Sequence, residues 1–212
     1  MSRGRFITLE GGEGVGKSTQ AGRLVARLEA RGLEVVRTRE PGGSPGAESL
    51  REILVRGAVD RWSPRTETLM MYAARSDHLE RTIRPALERG AWVVCDRFAD
   101  STRAYQGAGG GVAAAFIEAI DREVVGADQP DLTLVFDLPV EVGLSRALSR
   151  GDSEDRFEGK GRAFHERLRA QFHAIVAAHP ARCALIDADA DPEAVALSVW
   201  AAVSGRLAPA HV

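Results

Sequence analysis

The 212-residue chain is 44% hydrophobic and carries a formal net charge of −2. That is enough apolar content for one α/β core. No run approaches the ~20 apolar residues of a membrane span, and the lack of a basic excess argues against a polynucleotide partner.

Residues 6–9 read as a strand and Leu24, Val25 and Leu28 recur at helical spacing, so the intervening Gly11, Gly12, Glu13, Gly14, Val15, Gly16, Lys17 and Ser18 connect strand to helix. This is the pattern G-x-x-x-x-G-K-[ST]. Its backbone N–H groups can turn toward a chain of phosphates, Lys17 supplies a point charge, and Ser18 offers a hydroxyl to Mg²⁺, with Thr19 beside it. A nucleoside triphosphate is the expected ligand. Lysine occurs only at Lys17 and Lys160 in a chain that otherwise writes its positive charge as arginine, which singles out a compact ammonium at position 17. Lys160 reads as a solvated residue. Residues 1–4 lead directly into the first strand and leave no room for a signal peptide, so a cytoplasmic location is expected.

Further strands are predicted over 34–39, 91–96, 132–137 and 183–187, separated by helical segments. The expected fold class is α/β: a five-stranded parallel sheet with helices on both faces, in one domain spanning residues 1–212. Ligands of such sheets bind beyond the carboxyl ends of the strands, where Glu10, Arg39, Glu40, Asp96, Arg97 and Asp137 fall. Ser63 and Pro64 form a good opening for a helical region over 64–88. Leu69, Tyr72, Ser76, Leu79, Ile83 and Leu87 are its expected core stripe, and Met71 and Arg75 lie one turn apart on another face. Residues 107–111 are glycine-rich and read as a mobile loop over an acceptor site. Residues 146–158 begin as a helix and then lose apolar periodicity. Cys95 and Cys183 lie in or beside apolar runs and read as buried hydrophobes, without a disulfide or structural metal. The five histidines are read as incidental.

A regulatory GTPase would need N-K-x-D and D-x-x-G sequences, and the chain has neither. Arg39-Glu40-Pro41-Gly42-Gly43, Asp96-Arg97-Phe98 and Ser101-Thr102-Arg103-Ala104-Tyr105-Gln106-Gly107 resemble, in order and spacing, the signatures of bacterial thymidylate kinases over nearly the whole chain. The resemblance implies the P-loop nucleoside-monophosphate kinase fold and transfer of the ATP γ-phosphoryl group to dTMP, with Mg²⁺ as cofactor and a homodimer as the assembly.

Arg97, following a buried strand, suits bidentate contact with the acceptor phosphate. Asp96 stands either near Mg²⁺ or its water shell, or simply orients Arg97. Arg39 is a further phosphate contact; Arg51 is either another or an exposed helix residue. By resemblance Arg75 reads a thymine carbonyl, and Met71 stands where the family typically stacks a phenylalanine on the base. Tyr105 resembles the residue lying against the deoxyribose, with Ser101, Thr102 and Gln106 able to bond base or sugar. Glu10 and Glu13 are candidates for Mg²⁺ waters or the acceptor region, and Glu13 matches an acidic family position. The resemblance makes residues 149–160 a lid that delivers arginines, Arg150 and Arg156 being preferred, with Arg146 beside the adenine; otherwise this is a solvated loop. Because the acceptor phosphate is already anionic, no general base is required. A deoxynucleoside kinase is the nearest alternative, though it favours a carboxylate base and a Glu-Arg-Ser type sequence. A nucleotide switch without acceptor is the alternative from another class.

Overall fold

In the computed structural model, which describes residues 3–149, 157 and 160–208, the first strand β1 (Phe6–Gly11) is the middle of the sheet. β2 (Val35–Arg39), β3 (Trp92–Asp96), β4 (Leu132–Asp137) and β5 (Cys183–Asp187) complete it in the order β2-β3-β1-β4-β5, all parallel. The predicted α/β sheet is therefore observed.

Side-chain alternation along β1 divides the core. Ile7 and Leu9 join a cluster with Leu24 and Leu28 of α1 (Lys17–Glu29) and Val195, Val199 and Val203 of α9 (Pro192–Leu207). Phe6 packs on the opposite face with Tyr72 of α3 (Pro64–His78), followed by a π-helical segment (Leu79–Ile83) and α4 (Arg84–Glu88). On the same side, α8 (Arg162–Ala178) buries Phe164, Leu168, Phe172 and Ile175 against Val135 and Cys183. Helices thus cover both faces, as expected of a parallel sheet. The shorter connections contain α2 (Pro45–Val55), α5 (Ala99–Thr102), α6 (Ala114–Val124) and α7 (Val140–Leu148).

The long helical region expected over 64–88 forms, with Ser63 accepting from the Thr66 backbone N–H as its cap. Its stripe needs two corrections. Leu69 is 50% exposed, and Ser76 is half-buried and bonds Glu80, while Arg75 and His78 take the inward face with Tyr72. Burial of this face is set by buried ion pairing, which an apolar count does not register.

Residues 107–111 also differ from expectation. A π-helical segment over Arg103–Gly109 carries the chain against α8, and a Cβ on Gly109 would fall 2.4 Å from the Phe164 ring and 2.7 Å from Leu168. The glycine serves close helix packing rather than an open loop. Both cysteines are buried and free, as expected. No helix among the described residues is long and apolar enough to cross a membrane.

Candidate active site

Because β1 lies between β3 and β4, its carboxyl end opens where the chain's connections diverge to either side, and the phosphate loop occupies that point. Gly14 has φ 68°, and a Cβ there would lie 1.9 Å from the Gly143 carbonyl of α7, so only glycine lets the loop close against that helix. Gly16, also left-handed, precedes α1. Lys17 is buried, and its ammonium donates to the carbonyls of Gly12 at 2.7 Å and Gly11 at 3.3 Å. Burial, and then the nearby Arg97 cation, pull its pKa down to about 8.

Ser18 donates from Oγ to Asp96 Oδ2 at 2.7 Å, across from the end of β3. This pairs two hard oxygen donors. Among the described residues no group of three or more His, Cys, Asp or Glu is placed to hold a metal ion, so a cation here would draw most ligands from phosphate and water. That donor set fits Mg²⁺.

Arg97 adopts φ 70°, an unusual backbone for a non-glycine residue. The turn directs its guanidinium back over the phosphate loop. Nη1 donates to Gly11 O at 2.8 Å and Ser101 Oγ at 3.2 Å, and Nη2 donates to Glu13 Oε1 at 3.0 Å. Tyr105 also donates to Glu13 Oε1, at 2.6 Å, and its ring lies under the guanidinium at 4.9 Å. Burial opposes charge on Glu13, but Arg97 and Lys17 outweigh it and, with the Tyr105 hydroxyl, hold the carboxyl down at about 2. Glu13 is therefore an anionic bracket between two cations.

A cavity of about 430 Å³ adjoins this cluster. Its wall brings together Glu13, Gly14, Val15, Lys17 and Ser18 with Arg39, Arg51, Met71, Arg75, Asp96, Arg97, Ser101, Thr102, Tyr105 and Gln106, drawn from five separate segments. Arg39 pairs with Glu48 of α2 at 3.2 Å, and Arg51 of α2 donates to Pro41 O, in the loop after β2, at 2.6 Å. Arg51 is half-buried on the cavity wall rather than an exposed helix residue.

Arg75 carries the clearest signal. It is 2% exposed; Nε donates to Glu40 Oε2 at 2.8 Å and Nη2 to Thr102 Oγ1 at 3.2 Å, while Nη1 is buried with no hydrogen-bond partner among the described residues. A buried donor left open on a cavity wall is suited to a ligand's carbonyl.

Sequence profile comparison matches residues 9–199 to the family described as Thymidylate kinase. The chain is 61% identical over 207 residues to a thymidylate kinase of Caulobacter vibrioides, covering 98% of this chain and 99% of that protein. The chain belongs to the thymidylate kinase family. A Bradyrhizobium diazoefficiens family member is 54% identical over 209 residues, covering 98% of this chain and 92% of that protein. The crystal structure of thymidylate kinase from Ehrlichia chaffeensis superposes with TM-score 0.76 at 32% identity, covering 93% of this chain and 97% of that one. The chain is thus a phosphotransferase of this family on its P-loop fold.

Several expected site residues land elsewhere than the cavity wall. Glu10 is fully buried behind it, its carboxylate accepting from Phe98 N–H at 2.8 Å and Ser101 Oγ at 2.6 Å, so it braces the loop after β3. Burial first, and Asp100 second, push its pKa up to about 7. Gly11 and Gly12 bond Lys17 and Arg97 through their carbonyls from outside the wall, and Thr19 is exposed in the first turn of α1. Arg146 is exposed and donates to Ala188 O at 3.3 Å, in the loop after β5. Arg150 and Arg156 lie outside the described residues. Phe157 joins the wall and meets Tyr105 edge-on at 5.7 Å, and Lys160 sits over the Phe164 ring at 4.8 Å instead of standing free in solvent.

The histidines are not all incidental. His78 is fully buried between Thr38 and Glu40, His165 is buried in α8, and His173 bonds Asp137 at 2.9 Å; His211 is outside the described residues. The signal for His78 was available. It lies three residues after Arg75, on the same helical face.

Proposed function

We propose that the enzyme transfers the γ-phosphoryl group of ATP to the 5′-phosphate of dTMP, giving ADP and dTDP. One observation carries this reading: a single cavity joins the phosphate loop and three arginines to a buried guanidinium with an open donor. An acceptor with a phosphate at one end and a carbonyl-bearing base at the other matches that combination. Arg97, with Arg39 and Arg51, takes the acceptor phosphate. Arg75 donates to the base, Met71 packs on it, and Thr102 and Gln106 bond its edge. Tyr105 lies against the deoxyribose.

Lys17 follows the transferring group, and the backbone N–H groups of residues 11–16, with Thr19, hold the donor phosphates; Arg146 lies beside the adenine. Ser18 and Asp96 would hold Mg²⁺, which neutralises charge on the phosphates when bound. Glu13 keeps Arg97 oriented before the acceptor arrives. Since the acceptor oxygen is anionic, alignment, charge neutralisation and exclusion of water suffice. Residues 149–160 of this single domain act as the lid, with Arg150 and Arg156 delivering charge. A cytoplasmic homodimer is the working form.

Coupled ADP release with Mg·ATP, measured across dTMP, dUMP, dCMP, dGMP, AMP and thymidine, tests the reading. Turnover selective for dTMP is expected. Selective use of thymidine would replace it with a nucleoside kinase, and acceptor-independent hydrolysis alone would leave only a nucleotide switch. Sedimentation velocity tests the dimer, for which a monomer at micromolar concentration is the contrary result.

A further inference from the structure

Behind Arg75 stands a line of buried polar groups that the phosphoryl transfer itself does not use. Glu40, 6% exposed, gives one oxygen to Arg75 Nε at 2.8 Å and the other to His78 Nδ1 at 3.0 Å. On the far side of the ring, His78 Nε2 meets Thr38 Oγ1 at 2.7 Å. A guanidinium only donates, so Glu40 accepts from it. With Glu40 as a carboxylate, His78 donates from Nδ1, and in the neutral ring Nε2 accepts from the Thr38 hydroxyl. The hydrogen bonds then run from Thr38 to His78 to Glu40, and Arg75 donates to Glu40 from the other side.

The loop after β2 closes over this line. Gly43 has φ 86°, and a Cβ there would fall 2.3 Å from Thr38 Oγ1 and 2.4 Å from His78 Nε2. Thr82 donates to the Gly43 carbonyl at 2.7 Å and fixes the loop from the α3 side. Among the described residues, one donor of this line has no hydrogen-bond partner: the buried Nη1 of Arg75, a residue of the cavity lining. An ion pair that served stability alone would gain nothing from leaving a buried donor unmet.

We propose that His78 is a positioning residue. Through Glu40, and backed by Thr38, it fixes the rotation of the Arg75 guanidinium so that Nη1 stays directed at the acceptor base. The terminal torsion of a glutamate is broad. A carboxylate held at Oε2 alone can swing, which would leave the guanidinium, stacked on Tyr72 and Phe98, with Thr102 as its one fixed hydrogen-bond partner; the bond from His78 to Oε1 removes that freedom. The inference rests on the reading that Arg75 contacts the base.

The test uses the full-length enzyme with His78→Leu, His78→Asn and Thr38→Val, each alone and combined with Arg75→Ala. The readouts are dTMP KM, kcat at saturating ATP and the thermal unfolding midpoint. His78→Leu raises the dTMP KM roughly tenfold, the loss of one hydrogen bond to a charged group, with kcat changed by less than about twofold. His78→Asn, whose amide can donate from about the place of Nδ1, recovers most of that loss. Thr38→Val, a near-isosteric change that carries the test if His78→Leu does not fold, raises KM about threefold. In the Arg75→Ala background these changes add nothing further.

A lowered midpoint with unchanged KM for both His78→Leu and Thr38→Val, or effects fully additive with Arg75→Ala, would make His78 a buried structural residue and overturn the inference. Should Arg75→Ala itself leave the dTMP KM unaltered, the base-reading role of Arg75 fails and takes this inference with it. A large Arg75→Ala effect beside silent His78 and Thr38 variants sinks the inference alone.

Discussion

Arg97 is held before any ligand arrives: its guanidinium meets Gly11, Glu13 and Ser101, and its backbone sits at φ 70°. Preorganisation of this kind places the cost of orienting a cation in folding rather than in the reaction. On the proposed contact of Arg97 with the acceptor phosphate, Arg97→Ala is expected to lower kcat/KM for dTMP by roughly 100-fold, with ATP affinity by calorimetry nearly unchanged. Equal losses on both substrates would move Arg97 to the donor side.

Glu10 behaves oppositely to Glu13 although both are carboxylates near the phosphate loop. Glu13 is paired with cations and held at about 2, whereas Glu10 is buried, faces Asp100 and is pushed up to about 7. Between the ordinary 4.5 and 7, the folded chain keeps a proton on Glu10 that the unfolded chain has released. This group therefore favours folding as pH drops through that window. Its ionisation above 7 costs stability, at most on the order of 3 kcal/mol. Relative to the parent, Glu10→Gln should gain in urea midpoint when the pH is raised from about 5 to about 8. A midpoint difference that is the same at both pH values would refute the raised pKa.

At the scale of elements, the π-helical segment over Arg103–Gly109 forms one side of the cavity by carrying Tyr105 and Gln106. Tyr105 meets Phe164 of α8 edge-on at 6.1 Å, and Gly109 lets α8 come close enough for that contact. Gly109→Ala forces a methyl group to within 2.4 Å of the Phe164 ring. Overpacking of this size costs about 1–3 kcal/mol, readable as a lowered urea midpoint, and should raise the dTMP KM through Tyr105. Full stability in Gly109→Ala would show that the α8 contact yields freely.

The sequence marked this stretch as glycine-rich and inferred openness. Composition reports which side chains are missing, and only the neighbouring helix reveals what fills their place. Leu69 teaches the converse: its period placed it inward, yet the inward face of α3 was already occupied by Arg75 and His78, whose partners lie on β2, in the loop after it and in α5.

Across the whole molecule, Asp100 ties distant parts of the chain to the face that carries the site. It is 3% exposed and accepts from Arg182 Nη1 at 2.7 Å, at the start of β5, and from Arg103 Nη1 at 3.2 Å. Arg182 in turn donates to Thr133 Oγ1 at 2.7 Å, and Thr133 pairs with Thr8 at 2.8 Å across the middle of the sheet. Asp100→Asn removes the carboxylate that pairs with the partly buried Arg182, while Arg103 keeps Glu118 and Asp121. A loss on the order of 3 kcal/mol is expected in chemical denaturation, together with a lower Glu10 pKa and so a weaker pH dependence. Unchanged stability would mean that water replaces the carboxylate.

The sequence by itself determined the alternation of strands and helices, the parallel sheet, the phosphate loop and the strand-end location of the site, because each is written in local spacing and residue type. It also identified much of the cavity wall, since Arg97, Tyr105 and Gln106 stand in short contiguous motifs and Arg75 lies one helical turn from Met71. Tertiary structure alone decided that Glu10 braces a loop from behind, that Glu13 clamps Arg97 and Tyr105, and that His78 joins Thr38 to Glu40. These pairs are separated by 91, 84, 92, 40 and 38 residues. Periodicity shows which face of an element is buried. Which polar group meets it there depends on a different strand or helix, and that meeting exists only once the sheet has closed.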